Sequence, residues 1–515
     1  MTINFIPNDP NARDEMPERE QPARANRPAG RAGFNFENHP AEGKFAFDTR
    51  DFLFWQSREA ALATVEAWEA YAGDLTKWAS RSASIQRRID LSLTFDDGET
   101  FGSRRLNAYY DTQGVRFFDF NDGAQTTFSG QSTDTVSHEV GHALLDSQRP
   151  ELFGSSMPEI AAFHEAFGDI VAILTALSDS ATRIKLLQLT ADLSQPNFVE
   201  SSSEYLSAAV LRQFGNVNPS KPRRALNQFQ WQLPETLPAG NFNDPPEKLS
   251  REGHNFSRVF SGAFYDMLRG IFTAAGSGNE AALATAAQTA GKLLVDAVRQ
   301  TPETARYFQA VGRAIVKADD SFNGGVNRDA IGKAFAGHSI MLGSAAMTAP
   351  TAALAGPAPT ILKTGAKIAA STLTDLRQRI GAKKGAKFQV RSLAMLGEGV
   401  AEAVHRREVK LGGLDKRLRG VIAYAAEPVL VGASGARAAV LGALPEPNRT
   451  ENEVAAFVET LLQNGRIALG KTVAKKALAA LPEPTSNNVA THVIRSIGGK
   501  QVLSRIRFMC ACCRA

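Results

Sequence analysis

The most regular spacing of apolar residues in the chain follows Ser57. Apolar side chains recur there at alternating steps of four and three residues, namely Ala61, Val65, Trp68, Ala72 and Leu75. This spacing places them on one face of an α-helix. Ser57 is a residue type that caps helix N-termini, because its hydroxyl can accept a hydrogen bond from a free backbone N–H. The sequence therefore predicts an amphipathic helix that begins at residue 57.

A strand-like pattern comes next. The apolar residues Ile89, Leu91, Leu93 and Phe95 alternate with other residues up to a turn at 96–98. A period of two is typical of a half-buried strand. Two further predicted strands, 106–110 and 115–120, flank the polar turn 111–114 as a hairpin. We therefore expect a small mixed sheet in this part of the chain.

The segments after this sheet have the spacing of helices. Pro158 suits the first turn of one helix, whose apolar residues recur at three- and four-residue steps. Further helices are predicted near 257–272, 279–300, 303–317 and 328–337. We therefore expect an α+β fold.

The candidate chemistry lies in the sequence His138-Glu139-Val140-Gly141-His142. Two histidines four residues apart lie on one face of a helix, so both imidazoles can reach one Zn²⁺ while the glutamate points at a bound water. With 8 histidines in 515 residues, a chance match to this pattern is expected in fewer than roughly one chain in a hundred. The motif therefore indicates a metal-hydrolase site.

A catalytic zinc takes three protein ligands and keeps one position open, so a third ligand is expected downstream. The predicted helix after Pro158 carries Glu165 and Asp169 one turn apart on one face. Glu165 can ligate zinc, while Asp169 can accept the free ring N–H of a ligating histidine and so fix its tautomer. Acidic residues inside so apolar a helix would be costly without such partners.

These motifs and their order resemble the thermolysin-like metallopeptidases, the gluzincins, over roughly residues 88–340. The family pattern is His-Glu-x-x-His followed by a helix with Glu-x-x-x-Asp. The resemblance implies a zincin-like, two-lobed peptidase domain with Zn²⁺ held by His138, His142 and Glu165. It also implies that Glu139 is the general base and that Asp169 is the partner of His138.

Two more segments add to the resemblance. Asn107 and Ala108, followed by two tyrosines, look like the family's edge strand, which holds the substrate backbone. His254 begins a segment similar to the family's later helix, whose leading histidine stabilises the oxyanion. The alternatives are a strand-edge amide for Asn107 and a helix-capping histidine for His254. Arg223 or Arg224 lies in the region of the family's substrate-binding arginine, and the sequence leaves the choice open.

The chain also departs from the family pattern. The interval from His142 to Glu165 is 23 residues, slightly longer than usual, which predicts a longer loop at 146–157. His164 stands where the family usually has asparagine. No tyrosine lies between His142 and Glu165 to serve as a second oxyanion donor.

Charge is distributed unevenly along the chain. Residues 345–515 contain 25 Lys and Arg against 11 Asp and Glu, a net charge of +14, which leaves −9 on the first 344 residues out of a total of +5. Such a basic region can bind anionic partners without sequence preference. The main hypothesis is a zinc endopeptidase acting on protein or peptide substrates. The alternative is an inactive zincin-like scaffold whose basic region binds nucleic acid or an anionic membrane surface.

Changes of composition suggest four segments. Residues 1–50, rich in Pro, Asn, Arg and Glu, are predicted to be a disordered leader, and 51–340 the peptidase domain. Residues 341–362 are a predicted linker, and prolines interrupt its apolar runs, so a membrane span is not expected. Residues 363–515 are predicted to be a basic, mainly helical region.

The leader lacks the apolar core of a secretory signal, which favours a cytoplasmic location and leaves export by another route open. The only cysteines are Cys510, Cys512 and Cys513, which excludes a disulfide framework and fits a reducing compartment. Three thiols can contribute to a metal site, but no fourth ligand is evident, and an ordinary exposed terminus is the alternative.

Overall fold

The computed structural model describes residues 2–36, 39–80, 87–97, 107–343, 370–380, 382, 388–392, 400–434, 437–440, 447–473 and 490–509. The predicted linker at 341–362 lies outside these residues from position 344 onward, and so do the three cysteines. The described part of the chain mixes helices and sheets, in agreement with the predicted α+β class.

The α-helices of the described residues are α1 (Arg50–Ala72), α2 (Thr133–Gln148), α3 (Pro158–Ser178), α4 (Ser180–Leu189), α5 (Glu204–Phe214), α6 (Gly253–Ala274), α7 (Glu280–Gln300), α8 (Tyr307–Asn323), α9 (Arg328–Gly337), α10 (Ala370–Arg379) and α11 (Pro447–Gln463). Helix α3 packs against both α2 and α6 in the main hydrophobic core.

The β-strands are β1 (Thr2–Phe5), β2 (Arg19–Pro22), β3 (Gly33–Phe36), β4 (Trp78–Ala79), β5 (Arg87–Arg88), β6 (Asp90–Asp97), β7 (Ala108–Tyr110), β8 (Gly114–Asn121), β9 (Thr126–Phe128), β10 (Ser201–Ser202), β11 (Arg223–Arg224), β12 (Phe388–Ser392), β13 (Val400–Lys410), β14 (Val421–Ser434), β15 (Arg437–Val440), β16 (Ile467–Val473), β17 (His492–Ile497), β18 (Lys500–Arg505) and β19 (Phe508–Met509).

A mixed sheet borders the candidate site. Its strand order is β19-β7-β8-β6-β3, with β9 also paired to β8. Strands β7 and β8 form the predicted antiparallel hairpin, whereas β6 runs parallel to both β8 and β3. The predicted small mixed sheet is therefore confirmed. The sequence did not predict β3, or β19 from the far end of the chain.

Helix α1 begins earlier than predicted. Thr49 caps it by accepting a hydrogen bond from the backbone N–H of Phe52, and the extra turns bury Phe52, Leu53 and Phe54. Ser57 lies inside the helix and donates to the carbonyl of Gly130 at 2.6 Å. The prediction failed because the run of adjacent apolar residues before Ser57 has no helical period, although tertiary packing buries it.

The predicted disordered leader is wrong for the described residues before position 50. Strands β1 and β2 pair antiparallel, and Ile3 and Phe5 are buried in the main core. The side-chain amide of Gln56 on α1 is hydrogen-bonded in both directions to the backbone of Ile6, at 2.9 Å each. The prediction rested on the overall polar composition of the leader, but a few apolar residues in it are enough to anchor this segment.

The basic C-terminal region is not mainly helical in its described part. It forms a second sheet with strand order β12-β13-β14-β18-β17-β16, and β15 pairs with β14. Cross-strand pairing and burial override the weak helix preference of its Ala-, Lys- and Arg-containing segments. The mainly helical prediction is therefore wrong.

This region also packs directly on the preceding one. Arg306 pairs with Glu159 of α3 and with Glu453 of α11, and Arg251 lies 3.0 Å from Glu459. Val454 and Phe457, also on α11, belong to the main core. The predicted boundary between a peptidase domain and a separate basic region is consequently not a boundary in packing.

Among the described residues, no single helix is long and apolar enough to cross a membrane. The pair Pro158–Ala176 and Ser180–Leu189 meets those criteria only in combination, and the two helices are bent by 97° relative to each other.

Candidate metal centre

Helix α2 carries the two histidines and the glutamate of the motif. Ser132 caps this helix by accepting a hydrogen bond from the backbone N–H of Thr135. The rings of His138 and His142 have their centroids 4.8 Å apart. Both histidines and Glu139 are fully buried, and candidate ligand atoms of the three residues lie within 4.8 Å of one another.

Glu165 reaches the same point from α3. Its Oε2 lies 3.3 Å from Nε2 of His138 and 3.8 Å from Nε2 of His142. Ligand atoms roughly 3.3 Å apart are expected around a tetrahedral ion whose bonds are about 2.0–2.2 Å long. The three side chains therefore have separations close to those of a zinc ligand set.

Two glycines allow α2 and α3 to approach so closely. A Cβ on Gly141 would lie 3.0 Å from the Cα of Gly168, and a Cβ on Gly168 would lie 2.6 Å from Nδ1 of His138. Any side chain at residue 168 would displace the His138 ring. Glycine is therefore required at 141 and 168 by the close packing of the two helices and the His138 ring, and not by the backbone conformation of a turn.

The polar atoms at this point lack hydrogen-bond partners within the part of the chain that the structure describes. They are Nε2 of His138, both ring nitrogens of His142 and both carboxylate oxygens of Glu139, whereas Oε2 of Glu165 lies 3.0 Å from Nε2 of His254. Buried polar groups are normally paired, and leaving them unpaired is costly. A cation that accepts nitrogen and oxygen ligands would satisfy this group, and two imidazoles with one carboxylate is a donor set that zinc uses.

Asp169 is positioned to orient His138. Its Oδ1 lies 2.9 Å from Nδ1 of His138. Arg223 donates to the Asp169 carboxylate at 2.7 and 2.9 Å, and Ser202 donates to it at 3.1 Å. With Nδ1 of His138 donating to Asp169, its Nε2 presents a lone pair to the site.

The choice between the two arginines is also resolved by position. Arg223 contacts Asp169, and its Nη2 lies 3.3 Å from Nδ1 of His138. Arg224 instead pairs with Glu200. Arg223 is therefore the arginine of the candidate site.

Burial and charge give the two histidines different protonation behaviour. Burial lowers the pKa of His142 to about 3, so this ring is neutral. Burial also lowers the pKa of His138, but the hydrogen bond to Asp169 and the nearby Glu165 carboxylate outweigh it and raise the pKa to about 9. A metal ion at His138 would therefore displace a proton.

The two glutamates also differ. Burial raises the pKa of Glu139 to about 8. Burial acts in the same direction on Glu165, but the positive charge of His254 and the proximity of His142 outweigh it, and the pKa of Glu165 lies well below its usual value. Glu165 is thus held as a carboxylate, while Glu139 is suited to exchange a proton near neutral pH.

His254 lies at the start of α6 and faces the same point. Its Nδ1 is 3.0 Å from Oε1 of Glu252, and its Nε2 is 3.0 Å from Oε2 of Glu165 and 2.7 Å from the backbone carbonyl oxygen of Met509. A histidine with acceptors at both nitrogens is satisfied on both sides when it is protonated. The ring is therefore placed as a donor toward a carbonyl oxygen.

Asn107 and Ala108 lie at the start of β7, the strand that pairs with β19 beside the site. The side-chain oxygen of Asn107 accepts a hydrogen bond from the backbone N–H of Ala108 at 2.8 Å, and both residues are buried. The other edge of β7 is paired with β19, with Tyr110 opposite Phe508 and Tyr109 opposite Met509. Strand β19 thus covers the edge of β7 at Tyr109 and Tyr110, the residues next to the predicted substrate-binding pair Asn107 and Ala108.

The sequence did not single out Phe508 and Met509. The Phe508 ring stacks on His142, with centroids 4.7 Å apart, and on His164, with centroids 4.1 Å apart. The guanidinium of Arg505 lies 4.1 Å from the centre of the same ring. A two-residue strand has no readable period, so only its apolar character next to three cysteines hinted at a contact.

The structure therefore brings His138, Glu139, His142, Glu165, Asp169 and His254 together, with Asn107 and Ala108 at the neighbouring strand edge. Their roles as ligands, base and substrate-binding groups remain predictions. Comparison of the sequence with profiles of protein families and with curated proteins finds no match.

Proposed function

We propose that this protein is a zinc-dependent endopeptidase with a zincin-like, two-lobed catalytic domain. The observation that carries the proposal is the convergence of His138, His142 and Glu165. Oε2 of Glu165 lies 3.3 and 3.8 Å from the two Nε2 atoms, and neither Nε2 has a hydrogen-bond partner in the described structure. When bound there, zinc supplies Lewis acidity toward a carbonyl and lowers the pKa of a bound water.

Glu139 is the proposed general base. It follows the ligand His138 directly, it is fully buried, and neither of its carboxylate oxygens has a partner among the described residues. A carboxylate in that position can take a proton from the attacking water and pass it to the leaving amine. Burial raises the pKa of Glu139, so its carboxylate form is a stronger base than that of an exposed glutamate.

His254 and Asp169 have supporting roles in the proposal. His254 donates through Nε2 to a carbonyl oxygen at the site, so it can stabilise the negative charge that develops on that oxygen. Asp169, itself held by Arg223, fixes the tautomer of His138. The edge of β7 offers backbone groups to an extended peptide, which is a common way to bind a peptide chain.

The metal is tested first. The purified full chain is expected to contain about one zinc per molecule by mass spectrometry of the elements. His142→Ala should lose most of it, because it removes a ligand. His405→Ala is the matched control, since His405 is also buried and is paired with Glu427 in the C-terminal sheet. Equal zinc in both variants would contradict the ligand assignment.

Hydrolysis is tested next with casein and with internally quenched peptides, with and without a chelator. The assay uses the full chain and a Phe508→Gly variant, because β19 covers the edge of β7. Chelator-sensitive cleavage by either protein supports the proposal. Zinc at full occupancy without cleavage by either one would instead favour an inactive zincin-like scaffold.

A further inference from the structure

The last described strand of the chain occupies the cleft as an extended peptide substrate would. Strand β19 pairs antiparallel with the edge of β7, and Phe508 and Met509 are both buried. The Phe508 ring fills the space beside His142 and His164. Backbone pairing and a side chain in a pocket are the two contributions that hold a peptide added to a sheet edge.

The backbone carbonyl group of Met509 lies next to the proposed oxyanion donor, His254. Its oxygen is 2.7 Å from Nε2 of His254, and that nitrogen is 3.0 Å from Oε2 of the proposed ligand Glu165. Among the backbone carbonyls of β19, this is the one that accepts a hydrogen bond from the proposed oxyanion donor. The peptide bond that belongs to this carbonyl joins Met509 to Cys510.

We propose that the enzyme cuts its own chain at the Met509–Cys510 bond. This inference rests on the proposed peptidase function. Water adds its oxygen to the carbonyl carbon of Met509, Glu139 carries the proton from that water to the nitrogen of Cys510, and the bond between carbon and nitrogen breaks. The products are a chain that ends in the Met509 carboxylate and a released segment that begins at Cys510.

This cleavage has a specific chemical consequence. Cys510, Cys512 and Cys513 are the only cysteines in the 515-residue sequence, and all lie beyond the cut. The processed protein would therefore contain no thiol at all. The released peptide would carry every thiol of the chain, together with the cation Arg514.

The experiment follows the full chain after purification in the metal-free state and addition of zinc. Intact-mass spectrometry is expected to show loss of residues 510–515, and thiol titration of the denatured, separated protein should fall from three thiols per chain to none. Glu139→Gln should keep full mass and all thiols. Because the strand and the site belong to one chain, dilution should not slow the reaction.

A second variant tests the placement of the strand. Phe508→Gly removes the ring beside His142 and should slow cleavage at this bond by about 100-fold, which is the cost of a misplaced reacting group. Hydrogen exchange at residues 107–110 should also be faster in Phe508→Gly than in Glu139→Gln. This comparison does not depend on catalysis. Ile497→Gly is the control, because Ile497 lies in the same C-terminal region and is exposed.

The outcomes separate the two proposals. A zinc-loaded chain that cleaves casein but keeps residues 510–515, or that cuts itself at another bond, would overturn the self-cleavage and leave the peptidase intact. A chain with neither zinc nor any hydrolytic activity would overturn both. Cleavage at Met509 in Glu139→Gln would show that another protease is responsible.

Discussion

Two groups of largely buried titratable side chains include residues of α2, and they have opposite character. One is the group of His138, Glu139 and His142, and the other consists of Asp9, Asp134 and Glu204. In each group the candidate ligand atoms lie within 4.8 Å of one another. By proximity alone, both would be called metal sites.

The carboxylate group is largely satisfied by the protein itself. Asp134 accepts hydrogen bonds from the backbone N–H groups of Thr135 and Ser203, and Asp9 accepts from Tyr205 and Ser132. These contacts join the starts of α2 and α5 to the N-terminal segment. Backbone N–H groups at helix starts are natural partners for negative charge.

In the histidine group, Nε2 of His138, both ring nitrogens of His142 and both carboxylate oxygens of Glu139 have no hydrogen-bond partner among the described residues. The candidate ligand atoms of these three residues lie within 4.8 Å of one another, and a bound cation would satisfy them. The comparison shows that unpaired, converging atoms are better evidence for a ligand than the proximity of charged residues. The predictions below test this difference.

The largest effect is expected for Glu139→Gln. If Glu139 transfers the proton, kcat/KM should fall by about 10²- to 10⁴-fold while zinc content is unchanged. Glu204→Gln is the matched control, because it makes the same change in the carboxylate group and should leave kcat/KM near wild type. Steady-state cleavage of a quenched peptide measures both. Comparable losses in the two variants would contradict the contrast between the groups.

Glu165→Gln should weaken zinc binding more than about 100-fold, since loss of even an outer hydrogen-bond partner typically costs 10- to 100-fold. A competition titration with a fluorescent chelator measures this affinity. Asp134→Asn, a charge removal in the other group, should bind zinc as the wild type does. The prediction is wrong if Asp134→Asn loses zinc and Glu165→Gln keeps it.

Asp169→Asn should have an intermediate effect, a loss of about 10- to 100-fold in zinc affinity or kcat/KM. The change removes the charge that pairs with Arg223 and that favours the required tautomer of His138. Glu200→Gln is the control, because Glu200 pairs with the neighbouring Arg224 away from the site. Equal effects of the two substitutions would mean that Asp169 serves only to hold its arginine.

Much of the site could be predicted from the sequence, because local helical spacing determines it. His138 and His142 must share a face of α2, and Glu165 and Asp169 must share a face of α3, wherever those helices lie. Arg223 could not be separated from Arg224, because β11 is too short to show which side chain faces Asp169. The Gly141–Gly168 contact, which sets the distance between the helices, is also not visible in one sequence.

The contacts from distant parts of the chain could not be predicted. Asp9 accepts a hydrogen bond from Ser132, which caps α2 and is 123 residues away in sequence. The Met509 carbonyl accepts one from His254, 255 residues away. The N-terminal segment has a composition typical of disorder, and the basic region has one that suggested helices. In both cases a few apolar residues, such as Ile3 and Phe508, decide the packing, and composition averages over them.

The smallest effect concerns stability, and it has a definite dependence on pH. Burial, and then the charges of Asp9 and Asp134, raise the pKa of Glu204 well above its usual value. Below about pH 4 this carboxyl is protonated in both the folded and the unfolded chain. As the pH rises, the unfolded chain releases its proton first, so the folded state loses stability until the raised pKa is passed.

Glu204→Gln cannot titrate, and its amide can donate to the neighbouring carboxylates. Its melting temperature relative to wild type should therefore increase by about 1 °C between pH 4 and pH 8, the shift expected for about 1 kcal/mol in a chain of 515 residues. Thermal scans of both proteins in the presence of a chelator measure this difference. A variant that is less stable than wild type at pH 8 would show that the carboxylate group needs its full negative charge, as a cation site would, and the contrast between the two groups on α2 would no longer hold.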